Sequence, residues 1–210
     1  MSSLAVSDDH AETATPAKVI QPGWVRVLHW INALAMILMI MSGWQIYNAS
    51  PLFGFTFSKS ITLGGWLGGA LLWHFAAMWL LFANGLAYLI CNFATGRMRA
   101  RFLPLGPRDV IADFIAALRG HLAHDDLRRY NAVQKLAYLG AIVLLLLLVL
   151  SGLAIGKSVQ LPFLRELMGG YDNARIVHFF AMAGLVFFIV VHVVMVALVP
   201  KTLLVMIRGR

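Results

Sequence analysis

Four histidines lie inside long apolar stretches of the sequence, where an ionisable side chain is costly and is therefore a candidate for function. They are His29, His74, His178 and His192. Imidazole nitrogens bind iron, zinc and copper, and they also pass protons between neighbouring groups. One such histidine could equally be an interhelical hydrogen-bonding group. The spacing of all four helps to distinguish these chemistries.

The last two histidines are spaced so that one helix carries a ligand in each half of a membrane. His178 and His192 are 14 residues apart. On an α-helix this spacing returns the two side chains to within about 40° of one face and separates them by roughly 21 Å along the axis. One helix can therefore contribute to two centres.

Depth along the helices assigns a partner to each of these two. His29 and His192 both lie near the basic side of their apolar stretches. His74 and His178 are both about 22 residues from that side, which is roughly 33 Å along a helix. We therefore expect an inner pair, His29 with His192, and an outer pair, His74 with His178.

Two separated histidine pairs favour haem over other metal centres. Haem iron takes two axial imidazoles from facing helices of a bundle, whereas zinc and copper need three or four ligands that converge on one point. The single cysteine, Cys91, excludes an internal disulfide and the C-x-x-C-H attachment of c-type haem. A proton relay is the alternative, but the apolar stretches contain no Asp or Glu to continue one. The prediction is two haem b groups.

Two arginines are candidates to neutralise haem propionates. Arg26 and Arg175 each stand three residues before a histidine of the proposed sites. Charge-assisted hydrogen bonds between guanidinium and carboxylate groups are short and strong. Arginines that extend their charged heads to the membrane interface are the alternative interpretation.

Composition requires a membrane to position these side chains. The chain of 210 residues is 60% hydrophobic and 12% charged, with a mean hydropathy of +0.80. About 20 apolar residues span the hydrocarbon core. The sequence therefore predicts an all-α integral membrane protein with a four-transmembrane-helix bundle in residues 23–210, preceded by a disordered tail in residues 1–22. The predicted spans are 27–47, 61–90, 133–155 and 174–199.

The positive charges predict the topology. Of the 17 Lys and Arg residues, 12 lie before the first span, in the connection 92–132 or after the last span, and Lys135 directly follows that connection; only Lys59, Lys157, Arg165 and Arg175 lie elsewhere. Because positive residues stay in the cytoplasm, both termini and that connection are expected there. The net charge of +8 is thus explained without a nucleic-acid partner, and lipid is the expected surrounding. Within the connection, 107–120 has the pattern of a short amphipathic helix.

A faint internal repeat accompanies the histidines. The first span ends in a Ser42-Gly43 step and the third ends in a Ser151-Gly152 step. Glycines at equal depth could let a flat cofactor approach the backbone. Another group of glycines, 64, 65, 68 and 69, opens the second span with small-residue spacing that favours helix packing.

Several motifs together resemble a known family. Residues 26–30 (RVLHW), the tandem His178 and His192, and residues 129–135 (RYNAVQK) are similar to the bacterial cytochrome b561 and nickel-iron hydrogenase b-type cytochrome family. The resemblance covers nearly the whole chain after about Pro22. It implies a bundle with two haems b in the bacterial inner membrane. It also implies electron transfer between the quinone pool and a periplasmic redox subunit, such as a molybdoenzyme or hydrogenase.

The same resemblance implies a quinone pocket on the cytoplasmic side. Formate dehydrogenase subunits of the family use a Tyr-Asn-Ala-Gly-Gln-Lys stretch there, which implies Asn131 and Gln134 as quinone contacts. Val133 replaces the family's glycine and would narrow such a pocket. A polar helix start that caps its own backbone is the alternative.

The expected role is that of an electron-transfer subunit rather than of a self-sufficient enzyme. No nucleophile, base and orienting group converge in the sequence, and no nucleotide-binding fingerprint occurs. One alternative is a stand-alone quinol-dependent oxidoreductase that acts on a small molecule such as superoxide. An alternative of another class is a haem-free transporter with buried histidines.

Overall fold

The computed structural model describes residues 20–97, 106–118 and 132–209, and the regular elements within these ranges are all helical. The elements are α1 (Gly23–Ala49), a 3-10 turn (Lys59–Ile61), α2 (Leu67–Ala94), α3 (Pro107–Leu118), α4 (Ala132–Gly156), α5 (Pro162–Leu167), α6 (Tyr171–Leu198) and α7 (Pro200–Arg208). The predicted disordered tail falls largely outside the described residues, as do residues 119 and 120 of the predicted amphipathic helix.

Four helices have the length and apolarity to cross a membrane. They are α1, α2, α4 and α6, of which the first and the last two match predicted spans within a few residues. The prediction of an all-α protein with four membrane helices is therefore confirmed.

The membrane helices form two hairpins. α1 packs mainly against α2, and α4 mainly against α6. Between the hairpins the rings of Tyr47 and Phe179 meet at one end, with centroids 5.2 Å apart. Histidine rings of α1 and α6 meet toward the other end. The bundle therefore consists of two closely packed pairs that face each other through ring contacts.

Small side chains form the interfaces within the hairpins. Six alanines are at most 2% exposed: Ala35, Ala70, Ala77, Ala154, Ala174 and Ala181. Small residues let helix backbones approach closely in a bilayer, where dispersion and hydrogen bonds drive association. Within the described residues, the largest side chains that are completely buried are those of Ser42 and Ser151. Bulky side chains therefore do not fill the centre of this bundle.

The second membrane helix begins later than hydropathy predicts. It starts at Leu67, not at Ile61, because Gly64 and Gly65 take positive φ angles of 105° and 74° that a helix does not allow. These two glycines form a turn before the helix, so the prediction that they open the span as packing residues is wrong. The turn is tied to α1 by a bond from the Leu63 N–H to the Met41 carbonyl at 3.0 Å.

Hydrogen bonds join the start of α1 and the residues before it to the end of α7. We call this contact the terminal clasp, formed by residues 20, 21, 26, 207 and 209. The Gly209 carbonyl accepts from the backbone N–H groups of Ile20 and Gln21 at 2.8 and 3.3 Å. Arg26 Nη1 donates to the Ile207 carbonyl at 2.6 Å. Gln21 is 6% exposed. Residues 20 and 21, at the end of the predicted tail, are thus hydrogen-bonded to the C-terminal end of the described chain.

The turn before α2 gives a matched test of the fold. A Cβ on Gly64 would lie 2.3 Å from the Ala70 backbone nitrogen, whereas one on Gly65 would meet open space. Gly64→Ala is expected to lower the free energy of unfolding by about 3 kcal/mol or more, and Gly65→Ala by only about 1 kcal/mol. Thermal unfolding in detergent, followed by circular dichroism, measures both. Equal losses in the two variants would show that the turn has a different geometry.

Candidate functional site

The inner histidine pair bridges the two hairpins. His29 of α1 and His192 of α6 have ring centroids 6.2 Å apart, with planes inclined by 61°. An imidazole nitrogen binds a metal at about 2 Å, so two imidazoles on opposite sides of one ion have centroids roughly 6 Å apart. The observed separation therefore fits two axial ligands of one iron.

The outer histidines come from α2 and α6. His74 and His178 lie close enough to interact electrostatically across the gap between the hairpins. His29 and His192 are therefore in ring contact, and His74 and His178 lie within electrostatic range of each other. In each pair one histidine comes from each hairpin, so each pair opens onto the space between them.

A serine on the neighbouring helix contacts each outer histidine. Ser42 Oγ of α1 lies 3.0 Å from His74 Nδ1, and Ser151 Oγ of α4 lies 2.9 Å from His178 Nδ1. Both serines are completely buried. Only the glycines of these two Ser-Gly steps were predicted to have a role. The signal that could have identified the serines is a polar side chain at the same depth as a histidine in each hairpin.

The inner histidines have aromatic neighbours instead. Phe188 stacks on the His192 ring with centroids 6.0 Å apart and planes inclined by 16°. Trp30 meets the His29 ring edge-on at 5.4 Å. In the part of the chain that the structure describes, no hydrogen bond to either inner ring is found. The two pairs therefore differ in the groups that orient them.

An apolar groove of about 240 Å³ runs between α1 and α6. Its lining residues are Ile37, Ile40, Met41 and Trp44 of α1 with Val186, Ile189 and Val190 of α6. The α6 residues lie between His178 and His192 in the chain, so the groove lies between the depths of the two pairs. Trp44 Nε1 is buried and has no hydrogen-bond partner among the described residues. A groove with an apolar lining and one open donor is the kind of surface that binds an apolar ring with polar edge groups.

The two arginines bind protein groups at opposite ends of the bundle. Arg26 joins the terminal clasp through Nη1, while its Nε is buried without a partner among the described residues. Arg175 Nη2 donates to the carbonyl oxygen and to Oγ of Ser50, at the outer end of α1. Each arginine therefore connects the hairpins near a histidine pair, and Arg26 keeps one donor open to an anionic group.

The proposed quinone contacts are described only in part. Gln134 is half-buried in the first turn of α4, and Asn131 lies outside the described residues. Tyr138, one turn further along α4, meets Phe188 edge-on with centroids 6.2 Å apart, and Phe188 stacks on His192. A short chain of rings therefore connects the start of α4 with the inner histidine pair.

The donor set agrees with haem rather than with a directly bound transition metal. Among the described residues, no three His, Cys, Asp or Glu side chains come close enough to hold a metal ion. Each level instead offers two imidazoles from opposite hairpins, beside a groove that bulky side chains leave open. Haem supplies its own four equatorial nitrogens and needs only this pair from the protein.

Comparison with known proteins agrees with this chemistry. The family model described as prokaryotic cytochrome b561 matches residues 20–209. The chain is 58% identical over 190 residues to "Putative protein-methionine-sulfoxide reductase subunit YedZ1" of Azospira oryzae, a match that covers 90% of this chain and 96% of the relative. No solved structure matches the chain. The chain therefore belongs to the prokaryotic cytochrome b561 family, as a multi-pass bacterial inner-membrane protein that binds b-type haem and transfers electrons.

Proposed function

We propose that the chain binds two haem b groups and relays electrons through them between quinol and a periplasmic redox partner. The observation that carries this proposal is the arrangement of four histidines as two pairs, each divided between the hairpins, in a bundle whose centre lacks bulky side chains. The inner haem is held by His29 and His192, and the outer haem by His74 and His178.

In this proposal the side chains of the protein bind the haem groups, orient them and separate them from solvent. Each bound haem supplies a reversible one-electron couple of its iron. The imidazoles of α6 and their partners on α1 and α2 would hold the two haems. Apolar side chains line the groove between the two depths. Arg26 Nε and Trp44 Nε1, both buried donors, are available to carboxylate groups at the edges of the cofactors.

The quinone site is proposed at the start of α4. Gln134 and Asn131 offer amide groups that hydrogen-bond a quinone carbonyl or a quinol hydroxyl. The contacts from Tyr138 through Phe188 to His192 support a location beside the inner haem. The concentration of positive residues in the tails and in the connection 92–132 supports a cytoplasmic location for this end of the bundle.

We propose the catalytic subunit of a protein-methionine-sulfoxide reductase as the partner, because the relative from Azospira oryzae is described as a subunit of such an enzyme. Reduction of a methionine sulfoxide to a thioether and water consumes two electrons and two protons. One quinol releases the same two electrons and two protons when it becomes quinone. The chain would therefore carry two electrons outward, one at a time, for each sulfoxide reduced.

A stand-alone quinol-dependent reaction with a small molecule such as superoxide is the second candidate function. It would require the isolated chain to turn over without a catalytic subunit. A haem-free transporter does not fit membership of a cytochrome family.

Histidine substitutions test the two haem sites separately. His74→Ala is expected to remove the outer haem and His29→Ala the inner one, because each change deletes an axial ligand. Haem per chain should fall from two to one in both variants, and a redox titration should lose a different component in each. His121→Ala, in a polar segment, is the control. Loss of the same component in both variants would contradict the pairing.

Substitution of Gln134 tests the quinone site. Gln134→Ala is expected to raise KM for quinol about tenfold, the value of roughly one hydrogen bond, while haem content and both midpoint potentials stay unchanged. Leu136→Ala, two residues along on an exposed side of α4, is the matched control. If quinol kinetics are the same in both variants, the site lies elsewhere.

The partner is tested by reoxidation in permeabilised cells of the native bacterium. After reduction by quinol, the b-type absorption bands are expected to be reoxidised by added methionine sulfoxide but not by methionine sulfone. His74→Ala should abolish this reoxidation. If superoxide reoxidises the purified chain while methionine sulfoxide has no effect in cells, the stand-alone function replaces the partner model.

A further inference from the structure

The two outer histidines are held by the same local arrangement in both hairpins. In each case a serine near the outer end of one helix contacts Nδ1 of a histidine on the next membrane helix. The residue after each serine is a glycine. A Cβ on Gly43 would be 3.5 Å from His74 Cε1, and one on Gly152 would be 3.4 Å from His178 Cε1. Each ring edge therefore lies against a Ser-Gly step.

The direction of these hydrogen bonds follows from the second contact of each serine. Ser42 Oγ is 2.6 Å from the Leu38 carbonyl, and Ser151 Oγ is 2.6 Å from the Leu147 carbonyl. A hydroxyl has a single hydrogen, and a carbonyl can only accept. The serine hydrogen is therefore donated to the carbonyl, and the serine oxygen accepts the Nδ1–H of the histidine.

This direction selects one tautomer of both rings. An imidazole that donates from Nδ1 keeps the lone pair of Nε2 available for a metal. The partner of the other ring nitrogen sets the orientation of a ligating histidine and raises its basicity. Because Ser42 and Ser151 are completely buried, water does not replace them as acceptors. The inner rings lack such an acceptor among the described residues and have aromatic neighbours instead.

We propose that Ser42 and Ser151 are positioning residues that fix the outer haem ligands as Nδ1–H tautomers and lower the midpoint potential of the outer haem. This inference rests on the proposed dihaem function. A hydrogen bond from Nδ1–H to an oxygen makes the imidazole a stronger donor to iron, which stabilises the oxidised state. The carbonyl oxygens of Met39 and Leu148 are alternative acceptors near the same rings, so removal of one serine weakens the bond rather than the ligand set.

Potentiometric titration of the purified holoprotein tests this role. Ser42→Ala and Ser151→Ala are each expected to raise the midpoint potential of the outer component by about 59 mV. For a one-electron couple, this shift equals a tenfold change in the ratio of reduced to oxidised haem at a fixed potential. The inner component should not move. Ser42→Thr and Ser151→Thr keep a hydroxyl and should restore the wild-type potential. Ser60→Ala, in the exposed turn before α2, is the control.

Electron paramagnetic resonance of the oxidised protein provides a second readout, since freer rings broaden or shift the signal of the outer haem alone. Loss of the outer haem in an alanine variant, with retention in its threonine counterpart, would also support the role of the serine hydroxyl in positioning the ligand. The inference is overturned if both alanine variants keep two haems and unchanged potentials, or if the inner component moves instead. Failure of the proposed function looks different, because wild-type protein would then lack two haem components from the start.

Discussion

Polar groups in a hydrocarbon environment must find hydrogen-bonding or metal partners inside the protein. Near the centre of this bundle, few side chains of the chain itself can serve as such partners. Its helices are joined in pairs by alanines, so each hairpin packs closely on itself. The polar groups that still need partners are four imidazoles, the indole N–H of Trp44 and Nε of Arg26. A flat cofactor bound between the hairpins, as proposed, would both satisfy these groups and complete the core. The stability of the packed hairpins and the binding of the cofactor are thus expected to depend on each other.

Helical periodicity explains why so much of the site could be predicted. His178 and His192 share a face because 14 residues make nearly four turns, and depth counts need only the rise per residue. The partners of these rings were less accessible to prediction. The contacts of Ser42 and Ser151 depend on how neighbouring helices rotate about their axes, which hydropathy does not encode. The visible signal was a repeated Ser-Gly step, and the serines in it were overlooked.

Two further features of the structure, the start of α2 and the contact of Arg26, differ from the prediction for separate reasons. The start of α2 was predicted too early because apolar residues continue through Gly64 and Gly65, whose backbone angles end any helix there. The contact of Arg26 with Ile207 joins positions 181 residues apart. Such a contact depends on the packing of the whole bundle and cannot be inferred from local sequence. Gln134 was placed at a helix start by pattern alone, and the ring contacts from Tyr138 to His192 supply the link to the inner pair.

The terminal clasp has a consequence for the order of assembly. Bacterial chains emerge from the ribosome N-terminal residue first, and early segments begin to fold before late ones are made. The outer pair needs nothing beyond His178, whereas Ile20 has to wait for Gly209 before the clasp can form. The clasp therefore cannot form until residue 209 has been synthesised. We therefore expect the half of the bundle with His74 and His178 to assemble before the half with the terminal clasp, in which residues 207 and 209 bind the start of α1 and the residues before it.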